Sequence, residues 1–338
     1  MASAAALSYL AAGFVGAVIL VYFVLKSTHA WNLLTSANAR SLHGSATPTA
    51  GGIGFAIPVI VYLYLLVEEG VASAGGLLIG CSALAAVTLW DDLKGLNPSF
   101  RLACQVVVVA VVAWSLQPPS TDSQWHWLVT LGVGAAMLWH VHLFTFMDGV
   151  DGMAAVQCLF FCTGVQVLTL GIPGWVGDLT WLLAGAALGF LIYNWPPAKI
   201  FMGSVGSAFL GLLLAVLSLQ LWHSEQLPLA TCLILLAGFW FNATYEVCVR
   251  MLSGQGFTQA CLCNPPRRCH LYQRMAERKG QVWTVVAYVV FSVCWLMPLS
   301  WLTLLYAQLD LLWLVLAVLP MGIAARILNA GMPTPDEG

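Results

Sequence analysis

Charge is what this chain has least of: Asp, Glu, Lys and Arg make up 8% of its 338 residues, about a third of their share in soluble domains. That shortage excludes a sizeable water-soluble domain, and no nucleic-acid partner is expected. Basic residues are missing altogether ahead of Lys26, so the first apolar run lacks the cationic start of a secretory leader. It is also too long for one and reads as a retained first helix. Internal repeats of the kind that mark many transporters are absent as well. What is there instead is hydrophobe, 60% of the chain. A helical span needs about 20 apolar residues, and runs of that length fill most of the sequence. The expected fold is therefore an all-α, polytopic membrane bundle forming a single domain over 1–338.

Apolar runs and turn signals predict eleven membrane helices, at 3–25, 51–67, 71–90, 101–117, 125–144, 153–171, 176–194, 203–222, 228–249, 282–303 and 306–328. An odd number puts the two ends on opposite sides, and the basic residues choose which. With the first loop cytoplasmic, Lys26, Arg40, Lys94, Arg101, Lys199, Arg250, Arg267, Arg268, Arg274, Arg278, Lys279 and Arg326 all face inward, which is every Lys and Arg present. The outer loops hold only the acids Glu68, Glu69, Asp122, Asp178, Glu225 and Asp310. The N-terminus is then outside and the C-terminus cytoplasmic, with cytoplasmic loops at about 26–50, 91–100, 145–152, 195–202 and 250–281.

Into this apolar background fall two acidic pairs, Asp91-Asp92 and Asp148-Gly149-Val150-Asp151. An ionisable group at bilayer depth is tolerated mainly where it faces a cavity, a partner or a ligand. The predicted topology brings both pairs to one face, beside Asn194, Lys199 and the basic 250–280 loop. One competing reading has Asp91 and Asp92 merely capping helix ends, as Asp often does. The cysteines Cys261, Cys263 and Cys269 gather near His270, but their spacing matches no usual zinc pairing, and reduced thiols are the simpler expectation. Of His140 and His142, which point to different helix faces, His142 is the one expected near the acidic turn; His43 and His270 sit in the two longest inner loops.

Several carboxylates beside Arg and Lys at a membrane face suit chemistry on phosphates with a divalent metal between. Two unit charges about 4 Å apart interact by about 4 kcal/mol at an effective dielectric of 20. Bare carboxylates would thus repel phosphate unless Mg²⁺ or Mn²⁺ reverses the local sign, and hard oxygen ligands favour those ions. The glycine-rich stretches Ala50–Gly54 and Met202–Ser207 both open predicted helices. Free amides at such helix starts can receive anions, so the two are expected to cradle phosphate.

Five ordered motifs then resemble a known family, the polyprenyl-phosphate N-acetylhexosamine-1-phosphate transferases of glycosyltransferase family 4. They are Arg40-Ser41-Leu42-His43 with Thr47-Pro48-Thr49-Ala50-Gly51-Gly52; Asp91-Asp92-Leu93-Lys94-Gly95; Phe146 to Gly152; Asn194 to Gly203; and Arg268-Cys269-His270-Leu271-Tyr272-Gln273-Arg274. The likeness is nearest to the branch that initiates O-antigen synthesis, because the muramoyl-pentapeptide branch carries a histidine cluster where this loop has His270 alone.

The resemblance implies transfer of a sugar-1-phosphate from a UDP-N-acetylhexosamine-type sugar to undecaprenyl phosphate, giving UMP, with Mg²⁺ or Mn²⁺, on the cytoplasmic face of a bacterial inner membrane. It implies catalytic roles for Asp91, Asp92, Asp148, Asp151 and His270, and substrate contacts from Lys94, Asn194, Phe201, Arg268, Arg274 and His43. Metal would rest on Asp91, Asp92 and Asp148, with weaker help from Thr145 and Ser204. The oligomeric state, a homodimer included, stays open. The family usually has Asn where Thr145 stands and Asp where Ser204 stands, and Ala50 and His142 replace a common Arg and a common Asn. These departures keep a second reading in view, a catalytically silent relative that binds lipid phosphate or scaffolds other polysaccharide enzymes. A transporter with ion-carrying acids would instead place its charges near the midplane.

Overall fold

The computed structural model describes residues 4–31, 34–35, 47–116, 126–254 and 270–332. Its helices are α1 (Ala4–Trp31), α2 (Ile53–Glu68), α3 (Ala74–Lys94), α4 (Pro98–Ser115), α5 (His126–Met147), α6 (Met153–Leu168), α7 (Trp175–Asn194) and α8 (Gly203–His223). They continue with α9 (Leu229–Leu235), α10 (Ala237–Leu252), α11 (Leu271–Lys279), α12 (Gln281–Leu305) and α13 (Asp310–Ile327). A two-residue antiparallel pair, β1 (Leu34–Thr35) with β2 (Thr47–Pro48), precedes α2. The all-α membrane bundle expected from the sequence is what forms.

Among the described residues, eight helices are long and apolar enough to cross a membrane, or nine if the bent pair α9–α10 is one span. The other two expected spans are the shorter apolar helices α2 and α6, of 16 residues each. Burial sets the order of the bundle. For α8, 78% of its membrane window lies inside the protein, against 11% for α13, so α8 is an axis and α13 a lipid-facing wall. Around α8 pack α3 and α5, while α7 binds α1 and α6.

Small residues let these axes touch. A Cβ on Gly52 would lie 2.1 Å from the Gly206 Cα, so α2 meets α8 backbone to backbone, as membrane helices do where lipid offers no hydrophobic drive to associate. The break between α9 and α10, a bend of 77°, frees carbonyls that a bilayer cannot hydrate. Side chains take them instead. The Trp240 indole donates to the Leu233 carbonyl at 2.7 Å, and the Gln157 amide donates to Leu235 at 3.1 Å. Gln157 is held in turn by the Tyr288 hydroxyl.

Helix ends differ from the apolar pattern at the positions that matter for function. Hydrophobicity stops near Trp90, yet α3 runs on to Lys94 and ends at Gly95, whose φ of 68° no other residue type adopts easily. Asp91, Asp92 and Lys94 therefore stand on the last turn of a helix rather than in a loop. Thr145 is likewise helical, because α5 continues to Met147. Gly52→Ala is expected to push α2 off α8 and lower the melting temperature in detergent by several degrees; an unchanged melting curve would show that the two backbones do not need this approach.

Candidate active site

Four loops meet at one end of the bundle, held by side-chain and backbone hydrogen bonds. Asp92 Oδ1 accepts from the Ser204 amide at 2.9 Å and Oδ2 from the Val205 amide at 3.1 Å, and the Ser204 hydroxyl bonds the same carboxylate. Asp92 thus caps α8, placing a negative charge where the helix dipole is positive. The amides just ahead of α2 are committed too: Gly51 donates to the Phe201 carbonyl at 2.9 Å and Gly52 to that of Met202 at 2.8 Å. Both glycine-rich helix starts that looked ready to cradle phosphate are accordingly engaged by the protein itself.

Asp91 secures the next loop. Its Oδ1 accepts from the Leu96 amide at 2.8 Å, and its Oδ2 pairs with Arg101 Nη1 at 2.8 Å. Arg101 sits in the first turn of α4, which Asn97 caps by accepting from the Ser99 amide at 2.9 Å. Its charge is also felt by His142, the histidine expected to be the site's neighbour. The capping reading, the less favoured one in the sequence, describes what the Asp92 oxygens do, whereas those of Asp91 hold a loop amide and an ion pair.

The acidic turn from Phe146 to Gly152 is pinned from three sides. Asp151, buried, accepts from the Ala198 amide at 2.9 Å, and its own amide donates to Gln281 at 3.1 Å. Asn194 accepts from the Gly152 amide at 2.9 Å and donates to the Ile200 carbonyl at 2.8 Å. Asp151, expected to be catalytic, and Asn194, expected to touch substrate, are buried braces between the turn and the 194–203 loop. Phe201 is half-buried, with its amide donating to Pro48 at 2.8 Å.

Asp148 is different. It is half-buried and has no hydrogen-bond partner among the described residues. Burial, then the negative charges of Asp92 and Asp151, push its carboxyl well above the usual Asp range. That sequence of mutual influence, together with the Asp91 charge acting on Asp92, places all four carboxylates in one neighbourhood, as the sequence argument requires.

The other expected site residues divide. Lys94 is exposed at the end of α3. Arg274 is buried and donates to the Met332 carbonyl, tying α11 to the chain beyond α13. His270 is buried against Glu246. Thr145 donates its hydroxyl to Val141 at 3.0 Å, back along its own helix. His43, Arg268, Cys261, Cys263 and Cys269 lie outside the described residues. Sequence reasoning missed Arg101, Glu246 and Gln281 as members of this network. Only Arg101 had a local signal, its place just after an Asn-Pro helix start.

Among the described residues no three His, Cys, Asp or Glu side chains could hold a metal ion together. The donor set present, an unpartnered Asp148 with Asp92 nearby, fits an ion bound through one or two carboxylates that takes its remaining oxygens from phosphate and water.

Fold and site together define a polytopic membrane protein with a cluster of acidic side chains at one end of a helical bundle. Residues 74–222, the stretch that carries Asp91, Asp92, Asp148, Asp151, Asn194 and Ser204, match the model described as glycosyl transferase family 4. That match spans 149 of the 338 residues, and with the relatives below it supports placing the chain in that family. It is 29% identical over 251 residues to the phospho-N-acetylmuramoyl-pentapeptide-transferase of Moorella thermoacetica, covering 68% of this chain and 77% of the relative. With the decaprenyl-phosphate N-acetylglucosaminephosphotransferase of Mycobacterium leprae it shares 29% identity, over 64% of this chain and 59% of the relative, less than two thirds of that protein's length. With the probable undecaprenyl-phosphate N-acetylglucosaminyl 1-phosphate transferase of Bacillus subtilis the identity is 26%, over 70% and 67%.

The state of Asp148 can be read without any substrate. Its fold favours the neutral acid, so stability is greatest below the ordinary Asp pKa of about 3.9 and is lost as pH climbs through the raised value. In detergent free of divalent ions, Asp148→Asn should therefore melt higher than wild type. The gap should be small at about pH 4 and widen toward neutrality. Parallel melting temperatures across that range would mean the carboxylate carries no such penalty.

Proposed function

We propose that the protein transfers an N-acetylhexosamine-type sugar-1-phosphate from a UDP-sugar to undecaprenyl phosphate, on the cytoplasmic face of a bacterial inner membrane, as the first step of a lipid-linked polysaccharide such as O-antigen. An oxygen of the lipid phosphate forms the new bond to the sugar-bearing phosphorus of the UDP-sugar. The bond from that phosphorus to the bridging oxygen breaks, and UMP leaves with that oxygen and its electron pair. The observation that carries this reading is the crowding of Asp148 by Asp92 and Asp151 with no hydrogen bond to relieve it. Such a group is stabilised by a cationic ligand, and a metal–diphosphate supplies one.

The acceptor phosphate is already anionic at neutral pH, so the protein's part is to position and to neutralise charge rather than to provide a strong base. Asp148, with Asp92 behind it, would hold Mg²⁺ or Mn²⁺, which when bound supplies positive charge between carboxylates and phosphates. Lys94, exposed at the end of α3, would offer charge to the phosphates, while Arg101 stays paired with Asp91. The braces Asp151, Asn194 and Gln281 keep the turn still, which matters because sub-ångström placement governs such reactions. A second reading, binding without turnover, draws support from Thr145 and Ser204, whose hydroxyls are both engaged within the protein.

Membranes containing the protein, undecaprenyl phosphate, Mg²⁺ or Mn²⁺ and a panel of UDP-sugars should release UMP and form lipid-linked product with at least one sugar. Asp148→Asn should lower that rate at least about a hundredfold while the protein stays in the membrane. No product with any sugar, from protein that still binds lipid phosphate, would favour the silent relative. Ser204→Asp should both lower the Mg²⁺ needed for half-maximal rate and, in EDTA, lower the melting temperature, since the new carboxylate would face Asp92. An unmoved metal curve would exclude position 204 from the ion's surroundings.

A further inference from the structure

The protein buries a second set of ionisable groups that the reaction above does not use. Glu246 and Arg250 on α10 and His270 at the head of α11 are 1%, 3% and 2% exposed. Glu246 contacts His270 Nδ1 and lies 3.7 Å from Arg250 Nη1. A buried ion pair is no better for stability than apolar residues of the same shape, and removing one partner strands the other charge. The position of this group, rather than its stability, calls for explanation.

Contacts run from it without a break to the acidic turn. His270 stacks on Tyr272, with ring centroids 5.3 Å apart and planes 23° from parallel. The Tyr272 hydroxyl donates to the Phe146 carbonyl at 2.8 Å, two residues before Asp148. Gly149 admits this approach, since a Cβ there would sit 2.6 Å from Gln273 Nε2 and 2.8 Å from the Tyr272 hydroxyl. Both Glu246 and Asp148 push the Tyr272 hydroxyl to a higher pKa, after burial itself, so one ring lies within electrostatic reach of both acids.

We propose that Glu246 is a positioning residue: through His270 and the Tyr272 hydroxyl bond to Phe146, it sets the turn that presents Asp148. The kinetic part of this inference rests on the transferase reading. Glu246→Gln keeps the side chain's shape and removes its charge, and Tyr272→Phe removes the hydroxyl that holds Phe146. Each should lower kcat about tenfold or more and leave KM for the UDP-sugar within about twofold. The double variant should be little worse than either single one, because both act on one path. Additive losses, or a rise in KM alone, would overturn the proposal.

A second arm needs no turnover. The losses of melting temperature in Glu246→Gln and Tyr272→Phe should fall short of additive by half or more in the double variant, because both act on one path. Fully additive losses would overturn the proposal by themselves. Should wild type turn over no sugar nucleotide, the transferase reading fails while this thermal cycle still decides the role of Glu246. If Glu246→Gln does not reach the membrane, Glu246→Asp, which keeps the charge and withdraws it by one methylene, carries the same cycle.

Discussion

Two amide hydrogen bonds to Asp92, from Ser204 and Val205, fix the geometry on which the rest of the site depends. The most deeply buried of the eight long spans begins at Gly203, and in a bilayer its first amides have little water to bind. A carboxylate at the end of α3 supplies the partner and complements the helix dipole. Once α3 is tied to α8 in this way, the turn after α5 has nowhere to place Asp148 except beside an existing negative charge. Helix capping, a folding requirement, thereby creates the electrostatic stress from which a phosphate-directed site can be built.

That order of causes explains which acids are held and which is open. Asp91 is paired with Arg101, Asp92 with two amides, and Asp151 with the Ala198 amide. Each of these oxygens shapes a loop. Asp148 shapes nothing among the described residues and carries the repulsion of its neighbours. A ligand bearing positive charge gains most there, since it relieves two like charges at once, and it would do so without disturbing the bonds that hold the loops.

The apolar runs made the spans legible, and the distribution of Lys and Arg, with the turn between α5 and α6, made the convergence of the acids legible. Both depend on one-dimensional patterns that a membrane enforces strongly. What was illegible is which oxygen is free, because Asp91, Asp92, Asp148 and Asp151 are the same residue type in similar apolar settings and differ only in three-dimensional partners. The same limit hid the break at Leu236, where neither neighbour in sequence is proline and the freed carbonyls are satisfied from Trp240 and Gln157. It also hid Glu246, whose partner His270 is 24 positions on and belongs to another helix. Helix ends were misread for a different reason: α3 outlasts its apolar face by one turn because Gly95, not the first charge, stops it.

The neutral residues at 145 and 204 acquire a structural meaning from this network. A serine at 204 adds a hydroxyl bond to the carboxylate that caps its own helix, whereas an aspartate there would set a third negative charge against Asp92 and Asp148. A neutral residue at 204 spares the site that repulsion. Were a divalent ion to bind here, fewer protein charges would leave more of its coordination to the oxygens of an accompanying anionic ligand and of water. In such an arrangement the carboxylates alone would hold a divalent ion weakly, and ion and anionic ligand would bind together.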